Sequence, residues 1–431
     1  MRRLGPAAAL LCCALAARAR AQEPAADSAR VAREAYRQAI PFYRRGEWAA
    51  ARERLRRAST AWPAQPAYLT AYAAVSARLR DTAETVRALA LLADYGLAAD
   101  LAADSDFAAL REAPALQPVR ARFAANLAPL PNSSVAATLA EPDFWPEGLS
   151  HDPGAGAWYL ASVRHRKVTR VARDGSARDL VREAQDSLWA VLGVRADPAR
   201  GTLWVTTAAI PQMAGYSPAD SGRSALVAFD LATGRLQARY ELPGRNHLLG
   251  DLVVADNGDV YATDSQDPAI WLVRRGADRV EEFLRHPLFR SLQGPALDPA
   301  GRILYVADYS HGVLAVDLAT RSVRALAAPP GSTVLGIDGL SWHAGTLIAV
   351  QNGFTPPRIL RLRLAPGGGA IAAVELLDRH LPQAGEPTIG TVWGDRFYYV
   401  ANSQWEEYDG AGRLRPGIRL EPPVILELRL P

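Results

Sequence analysis

Glu147-Gly148-Leu149-Ser150-His151-Asp152 returns in altered form as Gln293-Gly294-Pro295-Ala296-Leu297-Asp298 and as Asp338-Gly339-Leu340-Ser341-Trp342-His343. Each copy opens a short apolar strand, passes a turn and continues into a second strand. Trp158-Tyr159-Leu160-Ala161 and Ile303-Leu304-Tyr305-Val306-Ala307-Asp308 are two such second strands. Weaker copies begin at Gly193, Asp251 and Gly390, so anchors 148, 193, 251, 294, 339 and 390 stand 45, 58, 43, 45 and 51 residues apart. The longest interval holds an insert, 210–223, rich in Pro, Gly, Ser and Asp. A period of about 40–50 residues made of short strands signifies one four-stranded sheet per repeat, arranged around an axis. The reading is mainly β: a six-bladed β-propeller over 144–431. A sandwich or a barrel leaves the period unexplained. The closing strand Val424 to Leu430 needs a fourth partner, and Val135 to Leu139 is the candidate that joins the two ends of the ring.

Upstream the grammar changes. Between Gln22 and Pro131 only Gly46 and Gly96 occur, in an Ala-, Leu- and Arg-rich background with helical periodicity. This predicts an N-terminal α-helical domain over 27–127, with 128–143 as linker and propeller-closing strand. Ala39, Phe42, Gly46, Ala51, Leu55, Ala58 and Pro63 resemble one tetratricopeptide repeat, whose small residues let paired helices approach. A generic Ala-rich stack of helical hairpins without a ligand fits equally. A looser second pair is expected over Pro66–Leu79 and Asp81–Tyr95, with Gly96 at its C-cap. Asp104–Leu127 would form a third, partial pair.

Residues 1–21 read as a secretory signal peptide: Arg2 and Arg3, an apolar run from Leu4 to Ala17, then Ala19-Arg20-Ala21. A retained anchor is the rival reading; a lipoprotein site would need a small residue where Leu11 and Cys12 stand. Periplasmic or secreted localisation follows, with no membrane span after cleavage. The chain carries 49 Lys and Arg against 45 Asp and Glu. Four of the positive charges (Arg2, Arg3, Arg18, Arg20) lie before Gln22, which leaves the remainder at 45 against 45. The basic excess therefore gives no argument for nucleic acid. Both cysteines also lie in this segment, which removes disulfides, thiol nucleophiles and thiolate metal sites from the rest.

Antiparallel pairing puts the start of each first strand and the end of each second strand on one face. The first set is Glu147, Leu192, Gly250, Gln293, Asp338 and Ile389; the second is Ser162, Thr207, Asp264, Asp308, Asn352 and Asn402. Glu147 and Asp338 are expected at one channel mouth, with Gln293 between them and Asn352 and Asn402 nearby. Converging carboxylates call for a hard cation, and oxygen donors of this kind suit Ca²⁺ better than Zn²⁺. Hydrogen bonding of these acids to backbone N–H groups is the competing reading.

Trp145-Pro146-Glu147-Gly148, Asp338-Gly339-Leu340 and Gly258-Asp259-Val260-Tyr261-Ala262-Thr263-Asp264 resemble the senescence marker protein/gluconolactonase/luciferin-regenerating enzyme family over residues 144–431. The resemblance implies a divalent metal held by a Glu, two Asn and an Asp, and hydrolysis of lactones. Glu147 and Asp338 match two of these positions. Gly250 and Gln293 stand at the two Asn positions, so one ligand is lost and one is altered. The candidate metal ligands are Glu147, Gln293, Asp338 and Asn352, with Ca²⁺ as the expected ion. Asp338 and His247 are the candidate catalytic residues, and Asp251, Asp264, Asp308 and Asn402 the candidate lining of the mouth. A Gly-x-Ser-x-Gly serine motif and phosphate-binding glycine signatures are both absent. Two functions follow: an exported metal-dependent lactone or ester hydrolase, or a non-catalytic periplasmic scaffold binding a protein partner through its helical repeats.

Overall fold

The structure, a computed structural model, describes the chain from Ala26 to Pro431. The expected signal peptide lies outside the described residues. No helix among the described residues is long and apolar enough to cross a membrane.

The helical region contains α-helices Ala26–Arg44, Trp48–Ala61, Pro66–Arg78, Thr82–Asp94 and Gln117–Leu127. Ala32, Ala35, Ala39, Ala51 and Ala58 are buried to 2% exposure or less, as close helix packing requires. Gly46 and Gly96 take φ +72° just beyond helix ends, a left-handed conformation that costs glycine nothing. The expected third helix pair is absent. Asp104–Leu127 instead forms two short 3₁₀ turns, Ser105–Leu110 and Pro114–Leu116, before one helix. Pro114 accounts for the break, since its ring is tolerated at a helix start but not inside. The chain forms two compact units. One takes the helices through Tyr95, Asp100–Val119 and Leu326–Thr333; the other takes Gly96–Ala99, Arg120–Ala325 and Val334–Pro431.

The second unit is a six-bladed β-propeller, each blade a four-stranded antiparallel sheet. Blade 1 holds Pro146–Asp152, Ala157–Ser162, Lys167–Ala172 and Ala177–Val181, and blades 2 to 5 repeat this order with inner strands Ala190–Asp197, Leu249–Val254, Leu292–Leu297 and Ile337–His343. In blade 6, Gly390–Trp393, Arg396–Val400 and Val424–Arg429 are completed by Ser133–Thr138. Ser133 pairs with Leu428 and Thr138 with Val424, so the ring closes by joining the two ends of the propeller sequence. Inner strands of neighbouring blades contact one another in cyclic order, blade 6 against blade 1 included. The core lies between blades. Leu149, Trp158 and Leu160 pack against Tyr398, Val400 and Ile425 at the closing seam, and Leu272 and Phe283 meet Leu304, Val306 and Leu314 between blades 3 and 4.

The anchor glycines have a physical reason. A Cβ on Gly148 would stand 2.3 Å from the carbonyl oxygen of Leu192, on Gly294 2.8 Å from that of Asp338, and on Gly339 2.9 Å from that of Thr388. Each anchor thus presses its bare Cα against the inner strand of the next blade. Five inner strands also carry a register break at the anchor pair: between Pro146 and Leu149, Val191 and Val194, Leu249 and Leu252, Leu292 and Pro295, and Ile337 and Leu340. Two residues there oppose one on the partner strand. Such a bulge re-aims a side chain, which is how Glu147 and Asp338 leave the sheet plane.

Candidate functional site

The bulges of blades 1 and 5 bring Glu147 and Asp338 within reach of each other's charge: Asp338 is among the groups that raise the Glu147 pKa. Asp338 is 8% exposed and accepts a 2.8 Å hydrogen bond at Oδ2 from Asn352 Nδ2. The same Asn352 amide donates to Pro387 O at 2.9 Å, and its Oδ1 accepts from the Tyr309 hydroxyl at 3.0 Å. Glu147 Oε2 accepts from the Trp405 indole Nε1 at 2.6 Å.

A third carboxyl, Glu386, joins from the segment leading into blade 6. Its Oε2 accepts from the backbone N–H of Trp405 at 2.6 Å and of Glu406 at 3.4 Å. Asp251 occupies the anchor position of blade 3, where the other bulged strands have glycine, and is 1% exposed. Its Oδ2 lies 3.4 Å from Arg195 Nη2, while Arg195 Nε donates to Leu252 O at 3.1 Å. Glu147, Asp338 and Glu386 thus come from blades 1 and 5 and the segment into blade 6, and Asp251 adds its charge from blade 3. Gly250 offers no side chain, and a Cβ there would meet no atom within 4 Å. Gln293 donates through Nε2 to Ser291 Oγ at 3.2 Å, leaving its carbonyl oxygen.

Burial is the main reason these acids titrate high. It pushes Glu147 well above the usual carboxylate range, with the charges of Asp338, Glu386 and Asp251 adding to it. Burial raises Asp338 to about 6 against the Asn352 hydrogen bond, and raises Glu386 to about 7 against the two N–H donors. Asp251 is raised by burial and pulled back by Arg195. Folded pKa values above unfolded ones mean stability that is full below about pH 4 and declines as pH rises through 6 to 7. A cation that replaces those protons must therefore stabilise more at pH 8 than at pH 5. Thermal melts with and without Ca²⁺ are expected to show a Tm gain that grows across this interval; a gain independent of pH would contradict the charge assignment.

Several expected residues do other work. Asp264 accepts from the backbone N–H of Leu248, Gln266 and Asp267 and, through Oδ2, meets His247 Nδ1 at 2.7 Å. His247 Nε2 faces Pro243 O at 3.1 Å, so both ring nitrogens are turned toward oxygens of its own blade. Asp308 accepts from the N–H groups of Arg290, Ser291, Ser310 and His311. Although burial pushes its pKa up, His311 and these donors hold it below the ordinary range. Asn402 donates to Pro422 O and accepts from Val424 N, fastening the closing strand. Asp264, Asp308, Asn402 and His247 are thus bound into turns and loops. Asn352 differs because it is out of register with them. Ser162, Asp264 and Asp308 pair opposite the residue before the bulge, but in blade 5 that place belongs to Gln351, opposite Ile337. Asn352 lies one residue further, where its amide reaches Asp338.

The sequence reading missed Glu386, Tyr309 and Trp405. It also missed Glu141, Asp143 and His165, which among the described residues form the group of His and carboxylates at metal-ligand spacing, within 4.8 Å of one another. Lys167 Nζ, 2.9 Å from Glu141, already supplies a cation there. An open cavity of about 400 Å³ lies at the other strand ends of blades 1 and 2, lined by Asp152, Tyr159, Arg170 and Asp230, away from the central carboxyls. Its Asp152 and Asp230 both accept turn N–H groups.

No protein-family model and no curated protein matches this chain. Among solved structures it is similar to a gluconolactonase from Xanthomonas campestris (18% identity, TM-score 0.48, 72% of this chain and 93% of that one). It is also similar to a calcium-binding protein, regucalcin, from Agrobacterium tumefaciens (16%, TM-score 0.47, 68% and 93%). A luciferin-regenerating enzyme gives 14% identity and a TM-score of 0.45, over 70% of this chain and 95% of that one. At these levels the chemistry of the compared proteins does not transfer. The chain is a six-bladed β-propeller with an N-terminal helical region, identified as such by its own strand topology.

Proposed function

We propose that the axial site binds a hard divalent cation, Ca²⁺ by its donor chemistry, and hydrolyses a lactone or another ester. The observation that carries this reading is that Glu147 and Asp338, from separate stretches of chain, stand within reach of each other's charge, while Trp405 donates to both Glu147 and Glu386. The donor set fits such an ion: Glu147 and Asp338 each give one oxygen to an N–H donor and keep the other, and Gln293, before the anchor of blade 4, keeps its carbonyl oxygen. Glu147, Asp338 and Gln293 would hold the ion, with Asn352 orienting Asp338. When bound, the cation supplies polarisation of the ester carbonyl and of water.

The chain's own chemistry centres on Asp338. Held by Asn352 and raised to about 6, its carboxylate takes a proton from the attacking water above that pH and returns it to the leaving alkoxide. The space beside Gly250 receives the substrate's ring. Export to the periplasm or beyond is proposed from residues 1–21.

A second reading, a non-catalytic periplasmic scaffold, is favoured by Gly250, which removes a ligand, and by the helical repeats, which would take a protein partner. A panel of lactones and aryl esters, assayed with Ca²⁺ and with EDTA, separates the two. Turnover that EDTA abolishes and Ca²⁺ restores is expected. Rates at background throughout, with or without Ca²⁺, would leave the scaffold.

A further inference from the structure

We propose that Trp405 is a positioning residue of the axial site, its indole N–H holding Glu147 for a bound cation and its backbone N–H fixing the Glu386 carboxylate whose charge acts on Glu147. The inference rests on the cation reading above and deepens it: the long insert between Val400 and Val424 becomes part of the site. One residue contacts both carboxylates, each at 2.6 Å, and so fixes how they stand to each other. A glutamate has three freely rotating bonds, and a charge-assisted N–H···O⁻ bond is the device that removes that freedom.

Trp405 is itself held on three sides. The preceding Gln404 takes φ +64° and ψ 31°, a left-handed conformation unusual for a residue with a side chain, and this turns the Trp405 N–H toward Glu386. The Gln404 side chain staples both ends of the insert. Its Nε2 donates to Glu421 O at 3.0 Å and Pro142 O at 3.3 Å, and its Oε1 accepts from Glu421 N at 2.8 Å. The indole ring packs edge-on against Trp145, with centroids 5.0 Å apart, and Trp145 stacks at 3.8 Å on Tyr408 of the same insert. Further along, Gly412 fits against the backbone of Pro211 and Gln212, and Arg164 Nη1 reaches toward the carbonyls of Gln212 and Gly412. The inserts of blades 2 and 6 thus meet above blade 1 and keep Trp405 in place.

Trp405→Phe keeps an aromatic ring against Trp145 and deletes the indole donor. Calorimetric titration of the full chain with Ca²⁺ is expected to show affinity about 10–100-fold weaker in the variant, the usual cost of removing a group that orients a ligand. The melting temperature without Ca²⁺ should change little. In ¹⁵N-labelled wild type, the Trp405 indole resonance should move on Ca²⁺ addition while that of Trp393, exposed on blade 6, stays. Wild-type binding with unchanged affinity in Trp405→Phe would overturn the positioning role and leave the cation reading intact. Failure of the wild type to bind Ca²⁺, Mn²⁺ or Zn²⁺ would remove both. If the variant does not fold, the wild-type resonance decides: a static indole signal overturns the inference.

Discussion

Asp338→Asn is expected to lower ester hydrolysis by about 10²–10⁴-fold, the range attributed to a positioned general base. The amide is nearly isosteric, and its oxygen can still accept from Asn352 Nδ2, so the local geometry should survive. What disappears is a proton acceptor and a negative charge facing Glu147. The two losses separate by pH. A carboxyl raised from 3.8 to about 6 makes the wild type about 3 kcal/mol less stable at pH 8 than below pH 4. The variant is free of that penalty. Without added cation it should melt higher than wild type at pH 8 and close to it near pH 4, while its stabilisation by Ca²⁺ shrinks. Progress curves on whichever ester the wild type hydrolyses, together with melts at both pH values, check this. Wild-type turnover in the variant would rule out Asp338 as the base.

The second large effect concerns the scaffold. Gly148→Ala should destabilise the propeller by about 3 kcal/mol, the upper part of the range for overpacking. Its Cβ would meet not a flexible side chain but backbone, 2.3 Å from Leu192 O and 2.9 Å from Val194 N. Blades 1 and 2 would have to separate. Gly250→Ala is the control, since its Cβ would meet nothing within 4 Å. There the smaller entropy of the unfolded chain should leave stability unchanged or raised by about 0.4–1 kcal/mol. Denaturant midpoints for the two variants measure the contrast; equal losses would show that the anchors do not work by close approach.

The fold was legible because the anchor glycine of blades 1, 2, 4 and 5 answers to one local need, close approach to the next blade, and a repeated need leaves a period. Glu147 and Asp338 were legible for the same reason: both precede an anchor, at a bulge that each strand carries by itself. The second ring was misjudged by counting residues from strand ends. Asp264 and Asp308 look like Asn352 in sequence, yet one residue of register puts the acids against backbone N–H groups and the amide against Asp338. In Asp104–Leu127 the helical composition conceals Pro114, which ends the pattern and leaves 3₁₀ turns before a single helix.

Composition and spacing by themselves determined the number of blades, the helical leader and two acids within reach of each other's charge, because these depend on chain-local pattern and on cyclic order. Only the folded molecule decided which further groups complete the site. Trp405 lies 258 residues from Glu147, and their meeting depends on the path of an insert set by the backbone of Gln404 and the packing of Trp145. Burial, which makes these carboxyls hold their protons, is likewise a property of what surrounds them, and no stretch of sequence carries it alone.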